Sequence, residues 1–134
     1  LLRQGRVTAA AEMFRLALQI DGEHLGALNN LGVCRLNLKQ LDLAITMFRR
    51  AVELAPDNPD SLFNLGSALA DNGDPSAAIP ILQRSLARNP MAPETHRRLA
   101  DIYTAEGKTE RAREHVQVAL QIEAAREAML NRTP

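Results

Sequence analysis

Asn30 and Asn64 stand 34 residues apart, and Arg98 occupies the next place at the same spacing. A carboxamide carries a donor and an acceptor side by side, so it can pair with the C=O and N–H of an extended polypeptide regardless of that polypeptide's side chains. A guanidinium at the third place suits a carboxylate, either an acidic side chain or a chain terminus, held through parallel N–H bonds. Neighbouring positions extend the candidate set to Asn29, Phe63, Arg97, Ser67 and Asp101. A plainer reading stands beside this one: Glu94 and Arg98, like Arg97 and Asp101, are four apart and can pair along a solvated helix face.

Other reactive residue types are sparse. His24, His96 and His115 are scattered, and none has a Cys, an Asp or a second His at the spacing of a zinc site. His96 takes a place held by Leu28 and Leu62 at the same 34-residue spacing, and so reads as a packed, partly exposed ring. Cys34 is the single cysteine, which rules out an internal disulfide, and beside Gly32 it reads as a buried structural thiol. There is no glycine loop able to cradle phosphate and no serine elbow. The expectation is a non-catalytic chain that needs no metal and no cofactor.

Charge and composition narrow the classes further. Sixteen basic residues balance sixteen acidic ones and aromatics make up 3%. Nucleic acid is unsupported, because there is neither a basic excess to displace counterions nor a stacking surface for bases. No apolar run approaches the roughly 20 residues of a membrane span. The sequence leaves the compartment open.

These candidates are positioned by a repeat. Ala10, Ala44, Ala78 and Ala112 recur every 34 residues, as do Leu31-Gly32, Leu65-Gly66 and Leu99-Ala100. Ala17, Ala51, Ser85 and Ala119 keep the register, and so do Phe14, Phe48, Leu82 and Val116. Self-similarity of this kind marks an array of small units. Within each unit the signals favour helix, turn, helix. Asn58 can cap a helix that has Pro59 in its first turn. Leu62, Leu65 and Leu69 then line one face at helical spacing, and Gly73 supplies the left-handed residue that ends it. Asp74-Pro75 opens the second helix, with Ala78, Ile79, Leu82 and Leu86 inward, and Asn89-Pro90 closes it.

Gly5 and Gly107 fall at the turn equivalent to Gly73, whereas Lys39 stands there in the second unit, predicting a looser, strained turn. Gly32 and Gly66 are expected to face Ala44 and Ala78 across their hairpins. Pro80 is placed near the start of its helix, where proline is tolerated. Residues from Thr109 to about Asn131 read as one long helix, since Ala124 replaces the proline that stops earlier units.

This register resembles the tetratricopeptide repeat family over residues 1–126. Its usual early aromatic is replaced by Leu28, Leu62 or His96, and its later tyrosine survives only as Tyr103. The resemblance implies an all-α fold, an α-solenoid of stacked antiparallel helix pairs in a right-handed superhelix, with first helices lining a concave face. The expected division is a partial repeat at 1–24 (the end of a first helix plus a second helix). Full repeats follow at 25–58, 59–92 and 93–126, and 127–134 forms a helical extension and tail.

Leu31 and Leu65 must point into their hairpins, so Asn30 and Asn64, about 100° earlier, turn toward the groove. Helices packed about 8–10 Å apart, against a strand rise of about 3.3 Å, would let successive asparagines grip roughly every third residue of a ligand. This is similar to the asparagine ladder in the superhelix of the O-linked N-acetylglucosamine transferase family. The carboxylate clamp of chaperone-binding relatives is not matched, because Asn29, Val33 and Glu94 stand where it has lysine, asparagine and lysine.

The function expected is protein-protein interaction, with an extended peptide segment of a partner lying in the concave groove. The alternative is a structural spacer or self-association arm of a larger protein whose catalytic or membrane part precedes residue 1. Leu1 is not an initiating methionine, which fits a piece of a longer chain.

Overall fold

The computed structural model describes residues 2–132. Seven α-helices follow one another, with no strand among the described residues: α1 (Leu2–Ile20), α2 (Leu25–Asn37), α3 (Leu41–Leu54), α4 (Pro59–Asp71), α5 (Pro75–Arg88), α6 (Pro93–Ala105) and α7 (Thr109–Leu130).

Local chemistry accounts for most helix starts. Asn58 accepts from the Ser61 N–H and Asp74 from the Ala77 N–H, each satisfying a free amide of the first turn while proline takes the next position. His24 does the same for α2, its Nδ1 accepting from Ala27 at 3.0 Å, a task the sequence reading did not assign to it. Pro93 opens α6 without a side-chain cap, since Ala92 precedes it.

The three hairpin turns share one hydrogen-bond pattern, in which amides of the two residues past the C-cap reach back to carbonyls of the last turn. At α4 these are Gly73 to Ala70 and Asp74 to Leu69, both 3.0 Å. Gly73 and Gly107 adopt φ of 79° and 75° there. Lys39 makes the equivalent turn with φ 61°, so the left-handed strain is real, but the turn is not looser: Gln40 N–H meets Arg35 O at 2.8 Å. Tertiary packing of the hairpin imposes the bend on a residue with a Cβ.

Three further expectations are corrected. Gly5 is not at a turn, because α1 runs unbroken from Leu2 to Ile20, so residues 1–24 do not divide into the end of one helix and a second helix. Gly5 lies inside the unbroken helical register of α1, with nothing within 4 Å of an added Cβ, so neither a turn nor a close approach requires glycine there. Gly32 faces Phe48 rather than Ala44: a Cβ there would lie 2.3 Å from the ring. Gly66 likewise faces Leu82, at 2.7 Å, with the Ala78 carbonyl oxygen at 3.4 Å. Pro80 sits in the second turn of α5, which nevertheless continues through it to Arg88.

Burial follows the register. Ala44, Phe48, Leu65, Ala78, Leu82, Leu99 and Tyr103 join one core running from α3 to α7. A smaller cluster of Ala11, Leu31 and Cys34 fastens α1 to α2, with Phe14 and Met47 packed against it. Cys34 is buried, and desolvation pushes its thiol pKa up against the smaller effect of Arg35, which keeps it protonated and unreactive.

Each helix packs on its neighbours in sequence, and in addition α2 touches α4 and α4 touches α6. No such contact links α1, α3, α5 and α7 to one another among the described residues. A row whose alternate members crowd on one side and separate on the other must curve, so α2, α4 and α6 form the inner wall.

Candidate functional site

The inner wall is stitched across its helices by polar side chains. Asn29 donates through Nδ2 to Ser61 Oγ at 2.9 Å, tying α2 to the start of α4. Asn64 Nδ2 approaches Asn29 Oδ1 at 3.5 Å, the long limit of a hydrogen bond. Asn30 is exposed on α2 and Asn64 half-buried on α4, so neither enters the core.

Between α4 and α6 opens a cavity of about 370 Å³. Its lining gathers six of the sequence-predicted residues, Phe63, Asn64, Ser67, Arg97, Arg98 and Asp101, and adds Leu36 and Glu94. Asn29 and Asn30 lie one helix earlier and outside it. Phe63 is half-buried and packs on the main core, giving the cavity an apolar floor. A second cavity of about 380 Å³ continues toward the helix C-termini, with Arg98 and Asp101 in both and Asp71 and Glu106 in the second.

The two arginines are already occupied. Arg98 Nη2 donates to the Ser67 carbonyl at 2.9 Å and forms an ion pair with Asp71. Arg97 reaches across to α7, where its Nη2 meets the two oxygens of Glu123 at 2.8 and 2.7 Å. The pairing along α6 that the four-residue spacing allowed, Glu94 with Arg98 and Arg97 with Asp101, is therefore not the one adopted. Cross-helix carboxylates win because α6 packs closely on both α4 and α7, a proximity invisible in local spacing. Glu94 and Asp101 are left without a hydrogen-bond or ion-pair partner among the described residues. Ser67 Oγ and Arg98 Nε are buried and unpartnered.

A further cluster went unnoticed in the sequence. His96 Nδ1 and His115 Nδ1 are 3.0 Å apart, His96 Nε2 lies 3.0 Å from the Pro90 carbonyl, and His115 stacks on Tyr103 with ring centroids 5.7 Å apart. Since a carbonyl only accepts, the assignment that satisfies both hydrogen bonds puts the His96 proton on Nε2 and lets its Nδ1 accept from His115. Their positions on either side of the Gly107 turn were the available signal. Burial, the neighbouring His96 and, opposing them, Glu114 together hold the His115 pKa below its ordinary 6.5. No group of three or more His, Cys, Asp or Glu among the described residues could hold a metal ion. No helix is long and apolar enough to cross a membrane.

A curved row of helical hairpins with a polar inner wall defines a repeat module of the α-solenoid class. Family models described as tetratricopeptide repeat match residues 23–91 and 63–128. The chain belongs to the tetratricopeptide repeat family, and as such is a protein-interaction repeat module from a family that is typically non-catalytic.

No curated protein sequence matches it. Among solved structures it is similar to one titled "Crystal structure of MamA", with TM-score 0.84 and 20% identity, over 95% of this chain and 74% of that one. It is similar also to MamA from Desulfovibrio magneticus RS-1, with TM-score 0.82 and 22% identity, over 93% and 71% of the two chains. A third, titled "MamA AMB-1 C2221", has TM-score 0.73 and 26% identity over 90% and 71%. At these identities the likeness speaks for the fold.

Proposed function

We propose that the inner wall binds an extended segment of a partner protein, with Asn30 and Asn64 meeting its backbone, Phe63 and Asp101 meeting its side chains, and Ser67, Arg97 and Arg98 framing the groove. Asn29 acts through Asn64, which it orients. The observation that carries this reading is the α4–α6 cavity, where an apolar floor and several polar groups face a space bounded by three helices. Concave sites with an apolar lining and a few placed polar groups are where ligands bind. The Asn64 Oδ1 accepts no hydrogen bond from a neighbour, so it is available to a peptide N–H. Affinity is expected to be modest, because ordering a flexible peptide offsets much of the contact energy.

The test is an array of random peptides, each of roughly nine residues to match three helix spacings. The chain should capture a subset of them and lose that capture when Asn30→Ala and Asn64→Ala are combined, with helix content and melting unchanged. Equal capture by the double variant would remove the groove from consideration.

A second reading, a self-association arm, draws on α1, where Leu2, Met13 and Ile20 are 83%, 68% and 90% exposed. It predicts a mass in solution that rises with concentration and falls when Met13→Ser and Ile20→Ser are combined.

A further inference from the structure

The charge of the inner wall assigns the chemistry of its occupant, on the premise that the groove takes a peptide at all. Four carboxylates, Asp71, Glu94, Asp101 and Glu123, meet two guanidinium groups, Arg97 and Arg98, and each arginine is consumed by one carboxylate. What remains facing the cavity is Glu94 and Asp101, seven residues or two helical turns apart on α6, both exposed and both without an ionic partner. Asp60 repeats the Glu94 position on α4, 34 residues earlier, so the acid recurs along the wall.

A cavity of about 300 Å³ between α1, α2 and α3 differs, being lined by Arg15, Arg35 and Arg50, of which Arg15 is paired with Glu12. Ser67 Oγ and the Arg98 Nε–H lack partners but are themselves buried, so neither offers a ligand carboxylate a free donor at the cavity surface. A ligand carboxylate would have to displace Asp71 from Arg98 or Glu123 from Arg97 and would meet two uncompensated acids in doing so. A ligand ammonium or guanidinium would meet no such opposition.

We propose that the groove is selective for an extended peptide carrying a lysine or arginine, whose charge falls between Glu94 and Asp101 while an adjacent apolar side chain rests on Phe63 and Leu36. The acid-binding role that an arginine at position 98 suggests in the sequence is thereby exchanged for a scaffolding one. Its guanidinium holds α6 to α4 through the Ser67 carbonyl and Asp71, and the free acids beside it select the ligand.

The test uses three pools of fluorescein-labelled peptides, each of roughly nine residues, identical in apolar positions and carrying lysine and arginine, aspartate and glutamate, or glutamine and asparagine at the rest. Fluorescence anisotropy should show the basic pool binding about tenfold or more tighter than the acidic one, with the difference shrinking as salt rises and screening shortens. Combining Glu94→Gln with Asp101→Asn should erase the preference without moving the melting temperature, and combining Glu94→Lys with Asp101→Lys should transfer it to the acidic pool. Equal or tighter binding of the acidic pool by the unaltered chain, with Asn64→Ala still abolishing it, would overturn the charge assignment and leave the groove standing. No binding of any pool would bring down the groove itself.

Discussion

Gly32 lies flat against Phe48: a Cβ on the glycine would sit 2.3 Å from the ring, whose own side chain is completely buried. One repeat on, Gly66 meets Leu82 at 2.7 Å, and in the next the register pairs Ala100 with Val116. From Phe48 through Leu82 to Val116 the second-helix residue shrinks, and only opposite the smallest of them does the first helix carry alanine in place of glycine, so the two positions share a limited volume.

Gly32→Ala therefore forces a buried ring to move. It should cost about 1–2 kcal/mol net, an overpacking penalty partly offset by alanine's better helix propensity. Phe48→Val, which on its own opens a cavity in the core, should cost less in that background than in the unaltered chain. Chemical denaturation of the four chains in a double-mutant cycle checks the coupling, and simple additivity would refute it.

The hairpin turns provide an internally controlled pair. Lys39→Gly should stabilise the chain by about 1 kcal/mol, because glycine carries no Cβ penalty at φ 61°. Gly73→Ala should destabilise it by a similar amount, although nothing lies within 4 Å of the added methyl. Gly5→Ala should stabilise by about 0.5–1 kcal/mol, as expected inside a helix, where a glycine at a left-handed turn would give the opposite sign. Melting temperatures of the three variants decide each case.

Pro80 predicts a gain as well. It has no N–H for the Ser76 carbonyl, but that residue is exposed and water can serve it, so α5 survives. Pro80→Ala should restore the bond and raise stability by about 1–3 kcal/mol, the lower end reflecting the stiffness that proline also gives the unfolded chain. A lowered melting temperature would contradict this.

The histidine pair gives the fold a dependence on pH. Because the His115 pKa lies below 6.5 in the folded chain, the unfolded chain takes up that proton first as acid is added. Unfolding free energy is therefore full above about pH 6.5, falls as pH drops beneath it, and levels once the folded ring is also protonated. Stability measured from about pH 7.5 to about pH 5 should decline in the unaltered chain and decline less with His115→Gln. Parallel curves for the two would exclude His115 as the source.

Much of this architecture is legible in the residues because it is local. Capping by Asn58 and Asp74, the stop at Gly73, and the inward stripe of Leu62, Leu65 and Leu69 each follow from a few consecutive side chains. The candidate site was legible only as a list of positions. Its electrostatics depend on Asp71 and Glu123, which lie 27 and 26 residues from the arginines they neutralise and have no local signature. The His96–His115 contact was missed for the same reason, being made by a hairpin closing. The repeat register marks Gly5 as a turn, but a glycine also sits in a helix interior at modest cost, and in α1 it does so.

The uneven spacing of the two helix rows has a mechanical consequence. With the first helices touching and the second helices apart, the inner row acts as a spine, while the outer row is tied to the preceding loops by side chains such as Arg84 to the Pro56 carbonyl and Arg88 to Asp57, so the array can bend by working those few contacts. Its softest motion is a change of curvature, and the width of the channel between α2 and α6 would breathe with it.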